Sequence, residues 1–307
     1  MTLRDLGASG LSISPLVLGG NVFGWTADKA QSFRILDRFV ERGGVMIDTA
    51  DVYSDWVPGH TGGESESVIG EWLRQSGKRE KVLIASKVGM LDGEGGSGLA
   101  PARIAAAAEA SLRRLGIETI DLYYAHQDDE QVPQAEMLAA FGALIDAGKV
   151  RVLGASNFRA VRLKAALDLA TRDGLPHFRV FQPAYNLLNR HPFEGELQDL
   201  CVTHNLGVVP YQALAAGFLT GKYRSAEDAG KSVRGGGMAE RLAGKGSEVL
   251  AAMDAVAAET GAGQAAGLRG QLRVARQRQD GDLDRGEPRV EAQHGALVDA
   301  ALGVGGL

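Results

Sequence analysis

The feature that most limits what this chain can fold into is an alternation sustained over most of its length. Short apolar runs stand at 16–19, 45–49, 82–88, 120–126, 150–156, 178–182 and 207–211, separated by longer amphipathic stretches. The runs are rich in Val and Ile and apolar on both faces, the pattern of strands covered on two sides. Helices are expected over 28–42, 64–76, 101–115, 133–147, 158–172 and 193–205. In the third, Ile104, Ala108, Ser111, Leu112 and Leu115 share one face, with the charges opposite. Pro101 and Pro133 stand near helix starts, where a missing N–H costs nothing. Gly148 and Gly174 follow helices, where a left-handed residue closes the last turn.

Strand and helix in repeated order imply a parallel sheet with right-handed crossovers. Six such units and a seventh strand fall one short of a closed (β/α)8 barrel. Ahead of them, residues 3–6 and 11–13 flank Gly7-Ala8-Ser9-Gly10 and read as a β-hairpin. A length of 307 residues could hold two domains, but α/β barrels routinely use that much chain in one. A net charge of −5 argues against broad, charge-driven nucleic-acid binding. One cysteine, Cys201, excludes an internal disulfide framework and fits a reducing, cytoplasmic setting. Neither a transmembrane run nor a signal peptide is expected.

The pattern changes near residue 266. Residues 247–259 still read as a helix, with Val249, Leu250, Met253 and Val256 on one face. From Gly267 on, Arg269, Arg273, Arg276, Arg278, Arg285 and Arg289 mix with Gln, Asp and Gly, and no strand-like run follows. A helical stripe returns only over 296–302. The expected organisation is a barrel over 1–266 and an aberrant Arg/Gly-rich tail over 267–307.

In a barrel, chemistry gathers at the C-terminal ends of the strands. Those ends carry Asp48, Lys87, His126, Ser156-Asn157, Gln182 and Tyr211, each polar group following an apolar run, and Tyr53 lies five residues past Asp48. Taken singly, each has an ordinary explanation: a solvated lysine, a satisfied core histidine, a capping aspartate, a packed loop tyrosine. Four of them around one barrel mouth argue for a site.

That constellation closely resembles the aldo-keto reductase superfamily. The resemblance rests on Asp48-Thr49-Ala50-Asp51-Val52-Tyr53, Gly63-Glu64-Ser65-Glu66, Ser86-Lys87, His126, Gly154-Ala155-Ser156-Asn157-Phe158 and Gln182-Pro183-Ala184-Tyr185-Asn186, and runs from Leu3 to about Ala266. It implies an α/β fold, a (β/α)8 TIM barrel with an N-terminal β-hairpin whose eighth β/α unit is here missing or replaced. It also implies reduction of an aldehyde or ketone with a nicotinamide cofactor, usually NADPH, with NAD as the alternative.

The residue types suit those roles. Hydride added to a carbonyl carbon leaves charge on oxygen, and Tyr53 is the expected proton donor. An unperturbed phenol near pKa ~10 donates slowly, so Lys87 is expected to lower it. Asp48 would hold Lys87 as a buried ion pair, and His126 would orient and polarise the substrate oxygen. By resemblance, Gly20, Ser156, Asn157 and Gln182 bind the cofactor, the last three at its carboxamide, and Tyr211 stacks on its ring. The segment from Leu214 to Tyr223 resembles the family's pyrophosphate loop, where backbone N–H groups and Lys222 would meet the phosphates, and Gln212, Leu214, Gly217, Leu219 and Lys222 are the expected cofactor contacts. The family often has Ser-Pro after the tyrosine, whereas this chain has Gln212-Ala213. Phe23, Trp25 and Trp56 stand near the ends of the first two strands and suggest an apolar or ring-bearing carbonyl substrate, or simply a wall of the mouth.

Other patterns carry less. Gly93-Glu94-Gly95-Gly96-Ser97-Gly98 matches a dinucleotide fingerprint but lies five residues past Lys87, with Pro101 before the helix, and reads as a flexible loop. His177, His191 and His204 lack metal-ligand spacing, so no metal is expected. Asp128-Asp129-Glu130 reads as a solvated loop edge.

After Ala266 the family's Leu-Ala-Trp-like segment, eighth strand and last helix are missing. Gly267-Leu268-Arg269-Gly270 can be encoded GGC TTG CGT GGG, which read two bases later gives Leu-Ala-Trp, so a frame shift near residue 267 is the reading adopted. A diverged tail with a strand around Val298 is the alternative. Without an eighth strand the first and seventh would have unpaired edges, and half of the adenosine site would be lost. Three functions follow: a carbonyl reductase, a cofactor-binding regulatory subunit of the potassium-channel type, or an impaired product of a frameshifted gene.

Overall fold

A computed structural model describes residues 2–261. The expected boundary at 266, the tail over 267–307, its frame shift, the 296–302 helix and the strand around Val298 lie outside the described residues. The described chain divides into two compact units, one formed by the residues up to Pro183 with Gly195–Val209, the other by Ala184–Glu194 with the described residues from Pro210.

The first unit opens with the expected hairpin: β1 (Arg4–Asp5) pairs antiparallel with β2 (Ser12–Ile13), Arg4 opposite Ile13. Then come β3 (Leu18–Gly19), β4 (Met46–Asp48), β5 (Leu83–Val88), β6 (Ile120–Ala125), β7 (Val150–Ser156), β8 (Phe178–Gln182) and β9 (Gly207–Val208). They form one seven-stranded sheet in sequence order, each neighbour parallel. Helices α1 (Lys29–Glu41), α2 (Glu64–Ser76), α3 (Pro101–Leu115), α4 (Gln134–Asp146), α5 (Ala160–Asp173) and α6 (Glu196–Thr203) follow the first six strands in turn. Among the described residues this is the arrangement of a (β/α)8 barrel lacking its eighth strand.

Local chemistry explains the elements. The Asp28 side chain caps α1 by accepting from the Gln31 amide at 2.8 Å, and Pro101 opens α3 as expected. Left-handed Gly116 and Gly174 close α3 and α5. The strands β5 and β6 are buried almost throughout, which is why their sequences do not alternate.

Leu6 and Leu11 of the hairpin join Met46, Ala85, Leu122, Val152 and Val180 in one core cluster. Those strand residues precede the strand ends, so the hairpin occupies the N-terminal side of the sheet and leaves the C-terminal ends for chemistry. Two glycines are dictated by close approach. A Cβ on Gly207 would lie 2.5 Å from Leu6, and one on Gly154 would lie 2.3 Å from the Tyr124 ring.

The second unit is built differently. It contains short 3-10 turns at Ala215–Thr220, Ala226–Lys231 and Gly235–Gly237, then α7 (Met238–Arg241) and α8 (Ser247–Thr260). Its own core gathers Phe218, Leu219, Tyr223, Met238, Val249, Leu250 and Met253. The expected face of α8 is therefore inward, with Val256 half-buried. No helix among the described residues is long and apolar enough to cross a membrane.

Candidate active site

The sheet brings three of the four expected side chains into direct contact. Asp48 is the last residue of β4 and Lys87 the penultimate residue of β5, adjacent parallel strands. The Lys87 ammonium has no exposed surface and spends each of its three protons on one acceptor. It donates to Asp48 Oδ1, to the Thr49 carbonyl at 2.7 Å and to the Tyr53 hydroxyl at 2.9 Å. The Tyr53 hydroxyl in turn lies 3.4 Å from Asp48 Oδ1. Thus the phenol sits where a cation and a carboxylate both reach it.

Electrostatics correct one expectation. Lys87 does act to lower the Tyr53 pKa, but burial acts more strongly the other way and Asp48 adds to it, so the phenol is pushed up to about 12. Desolvation pulls Lys87 down, yet the neighbouring Asp48 carboxylate and Tyr53 more than offset it, and the ammonium titrates above its ordinary value. Burial, helped by Lys87, drives His126 down to about 2, so its imidazole is neutral. Tyr53 remains a protonated phenol over the whole neutral range.

His126 follows β6 directly, its amide bonded to the Val88 carbonyl at 2.8 Å. Its ring centroid is 6.0 Å from that of Tyr53, the planes inclined by 71°. The buried His126 Nδ1 has no hydrogen-bond partner among the described residues. The loop carrying Tyr53 is held from both sides. Asp51 donates its amide to the Lys87 carbonyl at 3.3 Å, and Ser54, fully buried at φ 79, bonds the Phe23 carbonyl at 3.2 Å. A non-glycine residue in that region stores strain, and here it sits next to the candidate acid.

The remaining sequence candidates divide. Gln182, ending β8, donates from Nε2 to Asp48 Oδ2 at 2.8 Å, so this residue expected at a cofactor also orients the carboxylate that holds Lys87. Ser156 donates to the Gln182 carbonyl at 2.9 Å, and Asn157, at φ 56, donates to the His126 carbonyl at 2.9 Å. Gly20 bonds the Asp48 carbonyl at 2.7 Å, and a Cβ there would lie 2.9 Å from Ser65 Oγ. Trp56, 47% exposed, stands edge-on to Trp25 at 5.5 Å and to Tyr53 at 6.3 Å. Phe23 differs: its ring has no exposed surface and offers no face to a substrate.

In the second unit, Gln212, Ala215 and Ala216 adopt φ of 59°, 47° and 56°, followed by Gly217 at 94°. Two N–H groups of this run close the turn on itself, Ala215 donating to the Gln212 carbonyl at 2.7 Å and Gly217 to the Leu214 carbonyl at 2.9 Å. Lys222 sits with its ammonium 5.0 Å from the Tyr223 ring, and a Cβ on Gly217 would come within 3.5 Å of that ammonium. Leu219 is fully buried in the core of this unit, whereas Leu214 is exposed. Tyr211 lies past the end of β9 and bridges Ala184.

Two loops differ from their reading in the sequence. Gly93–Gly98 is a bonded turn rather than a flexible segment: Gly93 and Gly96 exchange two backbone hydrogen bonds of 3.0 Å. The acidic run is not merely solvated, because Asp128 holds Arg162 through two oxygens and Asp129 accepts the Leu99 amide at 2.9 Å. Sequence reasoning also missed a buried ionic cluster behind the site. Glu66 bonds Ser86 at 2.5 Å and Arg114, while Asp51 bonds Arg103 at 3.1 Å. Charged residues inside apolar helix faces were the available signal.

Residues 15–266 match the model of the Aldo/keto reductase family. The chain belongs to that family. It is 37% identical over 229 residues to the uncharacterized oxidoreductase YrpG of Bacillus subtilis, covering 72% of this chain and 69% of that protein. It is 33% identical over 226 residues to a probable voltage-gated potassium channel subunit beta of Oryza sativa, covering 73% and 67%. It is also 59% identical over 90 residues to an uncharacterized 11.2 kDa protein of Pseudescherichia vulneris, covering 29% of this chain and 87% of that one. Of these relatives one is named an oxidoreductase and one a channel subunit.

Proposed function

We propose that this aldo/keto reductase reduces an aldehyde or ketone with a nicotinamide cofactor, NADPH by analogy with its family, and that Tyr53 supplies the proton. The observation that carries the reading is the three-way contact of Tyr53, Lys87 and Asp48, with Gln182 fixing the second oxygen of the carboxylate. The hydroxyl of Ser156 and the side-chain amides of Asn157 and Gln182, held in place by their bonds to protein acceptors, suit a carboxamide, and the Lys222 ammonium beside Gly217 suits a phosphate. When bound, the reduced nicotinamide supplies the hydride.

The chain's own residues do the rest. The Tyr53 hydroxyl and neutral His126 mark the position of the carbonyl oxygen, both as neutral donors. As charge develops there, Tyr53 gives up its proton. An alkoxide is a far stronger base than a phenolate, so a phenol titrating near 12 still transfers downhill. Lys87 then faces the phenolate at 2.9 Å and stabilises it, and Asp48 keeps that ammonium aimed. Trp56 stands edge-on to Tyr53 and is itself backed by Trp25, which favours a ring-bearing carbonyl compound.

Titration of the 307-residue chain with NADPH, followed by quenching of tryptophan fluorescence and a screen of aromatic and aliphatic carbonyls, tests the proposal. Saturable binding with turnover of aromatic aldehydes is expected. Binding without turnover of any carbonyl would favour a regulatory role like that named for the channel-subunit relatives. Absence of binding would mean that the chain is an impaired reductase.

A further inference from the structure

Asp51 lies two residues before Tyr53 and is 1% exposed, yet the proton relay makes no use of its carboxylate. Its Oδ2 accepts from Arg103 Nη2 at 3.1 Å. Arg103, in the first turn of α3 and itself buried, also donates Nε to the Leu91 carbonyl at 2.9 Å and Nη1 to the Glu94 carbonyl at 3.2 Å. One guanidinium therefore ties together α3, the loop after β4 that carries Tyr53, and the glycine-rich loop after β5 that follows Lys87. The planar fork of arginine suits this role, since its five donors point along fixed directions.

The glycines are placed for this contact. A Cβ on Gly93 would lie 3.0 Å from Arg103 Nη1, and one on Gly95 would lie 2.3 Å from the Ala102 carbonyl. Side chains at either position would push the loop off the guanidinium. Thus the motif that resembles a nucleotide fingerprint is shaped to seat on an arginine.

We propose that Asp51 and Arg103 are a positioning pair that locks the Tyr53 loop to the glycine-rich loop and thereby sets the Tyr53 hydroxyl against Lys87. The kinetic part of this inference rests on the reductase reading above.

A pair kept for stability alone would be fully bonded, and this one is not. Asp51 Oδ1 is buried without a partner among the described residues, as is the Tyr123 hydroxyl. Asp51 faces Glu66 from α2, Arg103 and Arg114 from α3, and Tyr123 from β6. Burial first and Glu66 second raise its pKa to about 7, against the pull of Arg103 and Arg114. Because the folded value is raised, the stability that Asp51 contributes is complete below the ordinary carboxylate range and is lost as pH rises through about 7. The charge that holds Arg103 appears over that same interval. Stability and clamping therefore run in opposite directions with pH, as expected where a group serves position at the expense of stability.

The test uses the full chain with Asp51→Asn and Arg103→Lys, measuring kcat/KM between about pH 5.5 and 9, NADPH affinity, and amide-exchange protection factors. For the wild type, kcat/KM should fall about tenfold per pH unit below about 7. Asp51→Asn should abolish that acid limb and lower kcat by about 10- to 100-fold at pH 8, with NADPH affinity unchanged. Arg103→Lys, which keeps charge without the fork, should fall between the two and retain the limb. In Asp51→Asn, protection should drop together in residues 50–57 and 89–98, with β6 and β7 unaffected. Wild-type kcat with the acid limb intact, or a loss confined to one loop, would overturn the clamp. The exchange data stand alone: if no carbonyl is turned over but both loops loosen together, the clamp holds and the reductase reading fails. Should Asp51→Asn not fold, Arg103→Lys decides by the same exchange pattern.

Discussion

The two units of this protein reach their candidate sites by opposite means. In the first, the side chains that matter sit at strand ends, where parallel neighbours fix Asp48 and Lys87 and burial makes their contacts exclusive. In the second, the candidate phosphate contact Lys222 lies beside a turn held by left-handed residues at 212 and 215–217. A sheet positions side-chain chemistry by register; a strained turn positions its neighbours by dihedral angle. The first kind of site should fail when charge is removed, and the second when a dihedral is made costly.

The largest expected effect is at Lys87. Replacing it with Met leaves Asp48 buried without its cation, and denaturant unfolding should show a loss of about 3–5 kcal/mol. A stability change under about 1 kcal/mol would mean that the pair is solvated rather than buried. Next is Gln182→Leu, which removes the donor on Asp48 Oδ2 and should weaken the carboxylate's hold by about 1.5–3 kcal/mol. On the proposal that Asp48, Lys87 and Tyr53 act as one unit, combining Gln182→Leu with Tyr53→Phe should cost kcat little beyond Tyr53→Phe alone. Full additivity would show that Gln182 acts elsewhere.

The smallest effect is expected in the second unit. Gly217→Val puts a β-branched side chain at φ 94 and should cost about 1–3 kcal/mol of backbone strain. Its signature is weaker NADPH binding with kcat at saturation preserved. A fall in kcat with unchanged affinity would remove the distinction between the two units. In pH, the alkaline limb of wild-type kcat/KM should lie near 12, since Tyr53 holds its proton to about that value.

The same contrast explains what the sequence made legible. All seven strands and six of the helices after them announced themselves through apolar runs and helical faces, because buried sheets impose composition. Asp48, Lys87 and His126 were readable as polar residues ending such runs. The role of Phe23 was not, since a loop aromatic looks the same whether it faces solvent or core. Nor was the net rise of the Tyr53 pKa, which depends on how far burial outweighs a neighbouring cation. Arg103 was hidden because a charged residue in the first turn of a helix ordinarily reads as solvated, whereas here two carbonyls and a carboxylate enclose it.

The central claim is that Tyr53 is the proton donor of a carbonyl reductase. The most direct measurement is single-turnover oxidation of bound NADPH by a substituted benzaldehyde, in wild type and in Tyr53→Phe. The account expects equal NADPH affinity in the two proteins and a rate about 10²- to 10⁴-fold lower in the variant. Equal rates in both would contradict it.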